Sequence, residues 1–439
     1  MRKIIFYILL LVTTSAAAQK TSFNTNDYVH ALKFSTDVMV NDVTSPVAAA
    51  RYYAYINLAA NETIALFDNQ QSTFANVING LKPLKIDDAL IKKSDPAFAT
   101  ILALYKAGAR LLPSGYILKD KLDSLNSIAL KKKITPEKIK ASSELVDSVI
   151  VQLMKYVADD GFARLSGYRR FTPRSGDAYW QPTAPGFMAA IEPFWGTLRT
   201  FIIDSASQFT SGQPNEYDTS RQSKFYAEMK EVYDIRQNLK KDQANIAMFW
   251  DCNPFALQQV GHLEFGLKKI SPGGHWMGIT GIACKKQKLN LAKTAYAHAI
   301  VSLGMSDAFV SCWSNKYKHN RVRPVTAINR LIDRQWTPLL QTPPFPEYTS
   351  GHSVISTTSA IILTNLFGDN FAFTDNSEVE FGLPVRKFTS FKHACEEAAI
   401  SRLYGGIHFR DAIENGVKEG ELIGKFVVQK ANIANLTAR

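Results

Sequence analysis

Three short patterns in the last third of this 439-residue chain combine residue types that can hold a small anion. Lys316 stands seven residues before Arg323-Pro324. Ser350-Gly351-His352 directly precedes the apolar stretch Ser353 to Phe367, and Ser401-Arg402 is followed, after Leu-Tyr-Gly-Gly-Ile, by His408. Seven residues are two helical turns, so on one continuous helix Lys316 and Arg323 share a face and reach the same ligand. A serine and a glycine at a helix start offer a hydroxyl and open backbone N–H groups, which suits an oxyanion. Arg402 adds a permanent cation, and the imidazoles of His352 and His408 can accept a proton, donate one or form a bond. Each pattern alone is weak, but all three in this order would arise by chance in roughly one in 10⁵ chains of average composition.

The elements that must position these residues read as helices. Asp95-Pro96 opens one periodic run and Thr135-Pro136 another, each with a capping side chain before a proline suited to the first helical position. Stretches 46–67, 220–241, 291–312, 351–367, 391–404 and 411–436 carry helical periodicity, and alternating strand patterns are scarce. The fold expected is therefore all-α: two packed four-helix-bundle-like units, with the anion site in the C-terminal one and its catalytic part at about residues 245–430. Two irregular segments, 167–186 and 338–350, are long enough to serve as binding loops. No internal repeat or linker-like tract divides residues 19–439, so one compact domain is expected.

Composition excludes several classes outright. With 46% hydrophobic, 11% aromatic and 21% charged residues the chain is neither disordered nor low-complexity. The first eighteen residues pair Arg2 and Lys3 with an apolar run from Ile4 to Val12 and end in Ala16-Ala17-Ala18, the pattern of a cleaved secretory signal peptide. The mature chain should then be exported, periplasmic or secreted, with no membrane span. Cys252, Cys284, Cys312 and Cys395 have no zinc-finger spacing, and one or two disulfides are possible in an oxidising compartment. The net charge of +12 is concentrated between Asn315 and Arg334, where six cations (Lys316, Lys318, Arg321, Arg323, Arg330 and Arg334) face one acid, Asp333. Without interleaved aromatics this run is not a nucleic-acid surface. A single small oxyanion explains it better than a polyanion.

Together the K-x6-RP, SGH and SR-x5-H patterns resemble the superfamily that joins vanadium-dependent haloperoxidases with type 2 phosphatidic-acid phosphatases and bacterial acid phosphatases. The resemblance covers about Trp313 to Asp411. It implies one vanadate per chain, with Lys316, Arg323 and Arg402 neutralising its oxygens, Ser350 and the Gly351 N–H donating to them, His408 bonding the vanadium, and His352 acting as acid or base. Lys316, His352 and His408 would be the catalytic residues, and hydrogen peroxide and a halide, iodide or bromide foremost, the substrates. Trp313 and Phe345 match aromatic positions lining the pocket in chloroperoxidases and iodoperoxidases, which favours the haloperoxidase branch. Tyr179–Thr183 and Gly274–Trp276 look like loops of its bacterial members. The alternative is an exported acid phosphatase with His408 as a phospho-histidine nucleophile. A third reading is an anion-binding scaffold without turnover.

Two departures from the family pattern stand out. Thr349 replaces the proline usual before Ser-Gly-His, which is expected to loosen that loop. An aspartate usually follows the last histidine four residues on; here Asp411 is three on, still on the same helical face, and is the candidate to orient His408. Outside the triple pattern, His275 could contact substrate or cap a loop, and Cys312 reads as buried and inert.

Overall fold

The computed structural model describes residues 22–68, 73–260, 263–266 and 268–437; the expected leader, residues 1–18, lies outside the described residues. Fourteen α-helices run through the described residues. The N-terminal half holds α1 (Thr25–Asn41), α2 (Pro46–Ala65), α3 (Asp88–Lys93), α4 (Pro96–Leu111), α5 (Lys119–Lys131), α6 (Pro136–Ala158), α7 (Lys224–Gln237) and α8 (Lys241–Phe249). The C-terminal half holds α9 (Pro272–Lys286), α10 (Leu291–His319), α11 (Pro324–Leu331), α12 (Gly351–Phe367), α13 (Phe391–Tyr404) and α14 (Arg410–Lys430). Strand is confined, among the described residues, to two small antiparallel pairs. These are β1 (Leu257–Val260) with β2 (Leu263–Gly266), and β3 (Phe373–Asp375) with β4 (Arg386–Phe388). The all-α expectation holds.

Local chemistry explains the boundaries. Asp95 accepts the Phe98 N–H at 2.9 Å ahead of Pro96, and Ser271 accepts the Gly274 N–H at 3.1 Å ahead of Pro272. The segment Gly274–Trp276, expected as a loop, is thus the first turn of α9. No helix among the described residues is long and apolar enough to cross a membrane.

Two groups of helices share one core. In the first, α2 packs on α4, and α4 on α6; in the second, α12 packs on α10, α13 and α14. They join through α2 and the 29-residue α10, which lie against each other. Every residue of α2 from Pro46 to Ile64 is buried, as befits a helix that is mostly Ala, Tyr, Ile and Leu all round. Its one arginine, Arg51, is answered by Asp160 at 2.6 Å.

The seat of α12 depends on three glycines of α14 spaced four apart, Gly416, Gly420 and Gly424. A Cβ on Gly420 would stand 2.5 Å from the Val354 carbonyl oxygen and 2.9 Å from Thr357 Cβ; one on Gly416 would stand 2.8 Å from Ser353 Cβ. These contacts are with backbone or stem atoms that cannot swing away, so Gly420→Ala forces the two helices apart. Overpacking of this kind costs roughly 1–3 kcal/mol. Thermal melting of Gly420→Ala should therefore show a clear loss of stability, whereas an unchanged midpoint would mean that α12 is not held at this distance.

Candidate functional site

The N-terminus of α12, the end of α13 with the turn after it, the end of α10 and the segment after α8 converge on a cavity of about 40 Å³. Since roughly 10–15 Å³ holds one water, it has room for a few water-sized groups and suits a small oxyanion. Trp313, Phe345, Gly351, His352, Arg402 and His408 line it, together with Asp251, Cys252 and Asn253. Pro46, the first residue of α2, also contributes, so the N-terminal group of helices forms part of the wall. Lys316, Arg323 and Ser350 sit immediately behind these residues, each fully buried.

Lys316 and Arg323 come together by a route other than the one their spacing suggests. Helix α10 stops at His319, because Asn320 takes the left-handed conformation (φ 51°, ψ 36°) and its N–H returns to the Lys316 carbonyl at 2.8 Å. Arg323 is then the N-cap residue of α11, not a continuation of the same helix face. Both cations nevertheless approach the ring of Phe345, with Lys316 Nζ at 5.2 Å and Arg323 Cζ at 5.1 Å from its centroid. Trp313 completes this wall, its ring 4.9 Å from that of Phe345.

Each cation is aimed by backbone carbonyls. Lys316 Nζ donates to the carbonyls of Pro346 (3.1 Å), Glu347 (3.0 Å) and Thr349 (2.5 Å), so it ties down the loop leading into α12. Arg323 Nε donates to Phe345 O at 2.9 Å and its Nη1 to Ile407 O at 2.9 Å, while its Nη2, though buried, has no partner. Arg402 Nη2 donates to Trp250 O at 2.8 Å. Burial pushes the Lys316 ammonium down to about 8 and the Arg323 guanidinium down to about 10, the mark of cations lacking enough negative charge around them.

The last-mentioned deficit has a specific form. The fully buried carboxylate of Glu347 acts on both Lys316 and Arg323 but is shared with Arg321 at 3.3 Å, while Arg402 has Asp251 near it and Lys316 also has Glu419. Glu347 Oε1 accepts from His408 Nδ1 at 2.9 Å and from the Phe409 N–H at 3.0 Å. Burial, reinforced by Arg323 and Lys316, holds the His408 imidazole well below its usual range. This contact is therefore a neutral N–H donating to a carboxylate, not an ion pair, and it leaves Nε2 unprotonated, an acceptor. Arg323 Nη1 lies 3.2 Å from that Nε2.

Glu347 is the residue the sequence did not reveal, and it displaces Asp411 from the role expected of it. Asp411 is three residues past His408 but turns the other way: one carboxylate oxygen meets Arg321 and the other accepts the Asn215 N–H at 2.8 Å. The loop before α12 is not loosened by Thr349 either. The threonine hydroxyl donates to Glu419 Oε2 at 2.7 Å, and Ser311 donates to Glu419 Oε1 at 2.7 Å. Burial raises Glu419 to about 7. Ser350 caps α12, and its oxygen lies 2.9 Å from Ser353 Oγ.

His352 keeps some exposure to the cavity, while its Nε2 is shut off from solvent and has no partner. Burial, with Arg402 and His408 close by, holds it well below its usual range, so it stands as a neutral imidazole able to take a proton. Of the six cations between Asn315 and Arg334, Lys316, Arg321 and Arg323 are buried, and Lys318, Arg330 and Arg334 are exposed. The four cysteines are buried and free, so no disulfide forms.

The family description "VCPO second helical-bundle domain" matches residues 297–435, the stretch that carries all three patterns. No curated protein sequence matches the chain. Among solved structures, a bacterial vanadium-dependent iodoperoxidase superposes with a TM-score of 0.88 at 41% identity, covering 93% of this chain and 97% of the other. A holo-type bacterial vanadium-dependent chloroperoxidase superposes with a TM-score of 0.67 at 15% identity, covering 89% and 92%. An apo-type form gives 0.63 at 14%, covering 88% and 94%, so these two share the fold. Identity of that level with the iodoperoxidase over almost the whole of both chains, with the anion cavity built as described, places this chain in the family of vanadium-dependent haloperoxidases.

Proposed function

We propose that the cavity holds one vanadate per chain and that the enzyme oxidises halide, iodide foremost, with hydrogen peroxide to hypohalous acid. The observation that carries this reading is three buried cations, Lys316, Arg323 and Arg402, at or just behind the wall of one cavity, with Arg323 Nη2 unpartnered and Glu347, the carboxylate that acts on Lys316 and Arg323, already shared with Arg321. A buried surplus of positive charge is costly unless an anion answers it. The polar groups fit vanadate: the unpartnered Arg323 Nη2, the Ser350 hydroxyl and the first N–H groups of α12 as donors, with the unpartnered His352 Nε2 as an acceptor. His408 Nε2 would supply the bond to vanadium. Iodide is favoured because the most similar of the structures above, at 41% identity, is an iodoperoxidase.

Bound vanadate supplies a Lewis-acidic centre that activates peroxide toward halide. What the chain supplies can be derived from its own groups. Glu347 holds the His408 tautomer, so that Nε2 always presents a lone pair. The carbonyls of Pro346, Glu347 and Thr349 fix Lys316 Nζ, and those of Phe345 and Ile407 fix Arg323, so charge stabilisation needs no rearrangement. His352 Nε2 is placed to accept a proton from entering peroxide and return it to the leaving oxygen. Trp313, Phe345 and Phe309 give the cavity an apolar flank that keeps bulk water out.

The test is a side-by-side assay of purified protein before and after loading with orthovanadate. Iodide oxidation by peroxide should appear only with vanadate, and hydrolysis of an aryl phosphate should stay negligible. Iodide oxidation independent of vanadium, or phosphate hydrolysis inhibited by vanadate, would replace this reading with another.

A further inference from the structure

We propose that the chain carries a second, buried metal site, formed by Cys252 Sγ, His275 Nδ1 and Glu378 Oε1, which takes zinc or a divalent cation of similar size and ligand preference. The three residues come from the segment after α8, the first turn of α9 and the turn after β3, and all are buried. Their ligand atoms are 3.5 Å apart (Sγ to Nδ1), 3.2 Å (Nδ1 to Oε1) and 3.9 Å (Sγ to Oε1). A tetrahedral zinc at roughly 2.3 Å from sulfur and 2.0–2.2 Å from nitrogen and oxygen implies ligand-to-ligand edges of roughly 3.3–3.6 Å. The three atoms already form such a triangle to within a few tenths of an ångström.

The imidazole is oriented as a ligand would be. His275 Nε2 lies 2.7 Å from Asp375 Oδ2, and Asp375 is itself held by the Ser377 N–H at 2.9 Å. With Nε2–H given to a carboxylate, the lone pair that Nδ1 gains on losing its proton would be directed at Cys252 and Glu378, the arrangement that raises the basicity of a metal-bound histidine. Trp250 stacks on the opposite side of the ring at 4.5 Å and 21°, which removes its freedom to rotate.

Charge balance permits the exchange. Without a metal the same atoms amount to an imidazolium between two carboxylates beside a neutral thiol, a net charge of −1 when both carboxylates are ionised. A divalent ion with a thiolate, the same two carboxylates and a neutral imidazole is again −1. Uptake therefore releases two protons to solvent, one from Cys252 Sγ and one from His275 Nδ1, and leaves the buried charge unchanged.

The site would brace the anion cavity from outside. Cys252 lines that cavity, and Trp250, two residues earlier, gives its carbonyl to Arg402 Nη2 at 2.8 Å. A metal tying Cys252 to α9 and to the turn after β3 would fix the segment that aims Arg402. The proposal stands apart from the vanadate reading and is tested by a different readout. Purified full-length protein, loaded with zinc and freed of excess, should retain one zinc per chain by elemental analysis. Cobalt(II) in its place should give a thiolate-to-cobalt charge-transfer band. Cys252→Ser and Glu378→Gln should each lower retained zinc to about a tenth or less, and the cobalt band should vanish in Cys252→Ser. His408→Ala should keep both signals. Failure of the unsubstituted protein to retain zinc or show the band would overturn the proposal, as would a band that survives in Cys252→Ser; the first measurement needs no variant to fold.

Discussion

His408→Ala should abolish vanadate-dependent iodide oxidation while leaving a folded protein. The imidazole contributes an unprotonated nitrogen, Nε2, to the cation cluster, because its other nitrogen carries the proton and donates it in a hydrogen bond to Glu347. Loss of an outer partner of a metal-binding histidine typically costs 10–100-fold in affinity or activity, so loss of the histidine itself should cost more than about 100-fold. The fold should tolerate the change because the vacated space adjoins an existing cavity and Glu347 keeps both Arg321 and the Phe409 N–H. Vanadium content by elemental analysis, read beside iodide turnover and the melting midpoint, checks this. A variant that keeps turnover would remove His408 from the vanadium.

Glu347→Gln should have the next largest effect, and it should act on stability and turnover in distinguishable ways. The substitution keeps shape but deletes the negative charge that sits among Arg321, Arg323 and Lys316. Breaking a buried charge pair by removing one partner typically destabilises by about 3–5 kcal/mol, because the cations left behind remain desolvated. An anion entering the cavity then answers more unmet charge than in the parent. The rise in melting midpoint on adding orthovanadate should accordingly be larger in Glu347→Gln than in the unsubstituted enzyme. Turnover should nonetheless fall, by about 10–100-fold, since an amide can meet Arg321 and His408 less well than a carboxylate and the imidazole loses its fixed tautomer. A variant as stable as the parent without anion would show that Glu347 carries no charge-balancing role.

Much of the site was legible in the sequence because its chemistry is carried by local motifs. Ser350, Gly351 and His352 belong to one helix start, and the cap, the open N–H groups and the imidazole follow from their order alone. Arg402 and His408 lie at the end of α13 and in the turn after it. Lys316 and Arg323 were placed together for the wrong geometric reason, since a left-handed Asn320 breaks the helix between them and the loop 346–349 then brings both to Phe345. Glu347 was invisible because its partners are His408 and Arg321, and nothing in a linear pattern tells which carboxylate turns inward. Asp411, one helical turn past His408, was the natural local choice, but Arg321 competes for it and wins. The Cys252, His275 and Glu378 triangle joins three distant segments, so no spacing announces it. The start of helix α9, Gly274–Trp276, was read as a loop from its likeness to loops of bacterial haloperoxidases. Tyr53 Oη lies 2.9 Å, and an Ile270 side-chain carbon 2.5 Å, from where a Cβ on Gly274 would stand, so glycine is needed there for close packing within a helix.

The burial of α2 has a bearing on how the chain is made. Its last residue, Ala65, leaves the ribosome 226 residues before Leu291, the first residue of the α10 surface it packs against. At 5–20 residues per second this is a wait of roughly 10–45 s for a helix with apolar side chains on every face. Only α4, among its two main packing partners, is synthesised early enough to shield it during that interval. The pairing with α4 is therefore the first cover the chain order offers α2, and Pro46, at the head of α2, reaches the wall of the anion cavity only when α10 arrives. The catalytic pocket is among the last parts of the molecule to come into being.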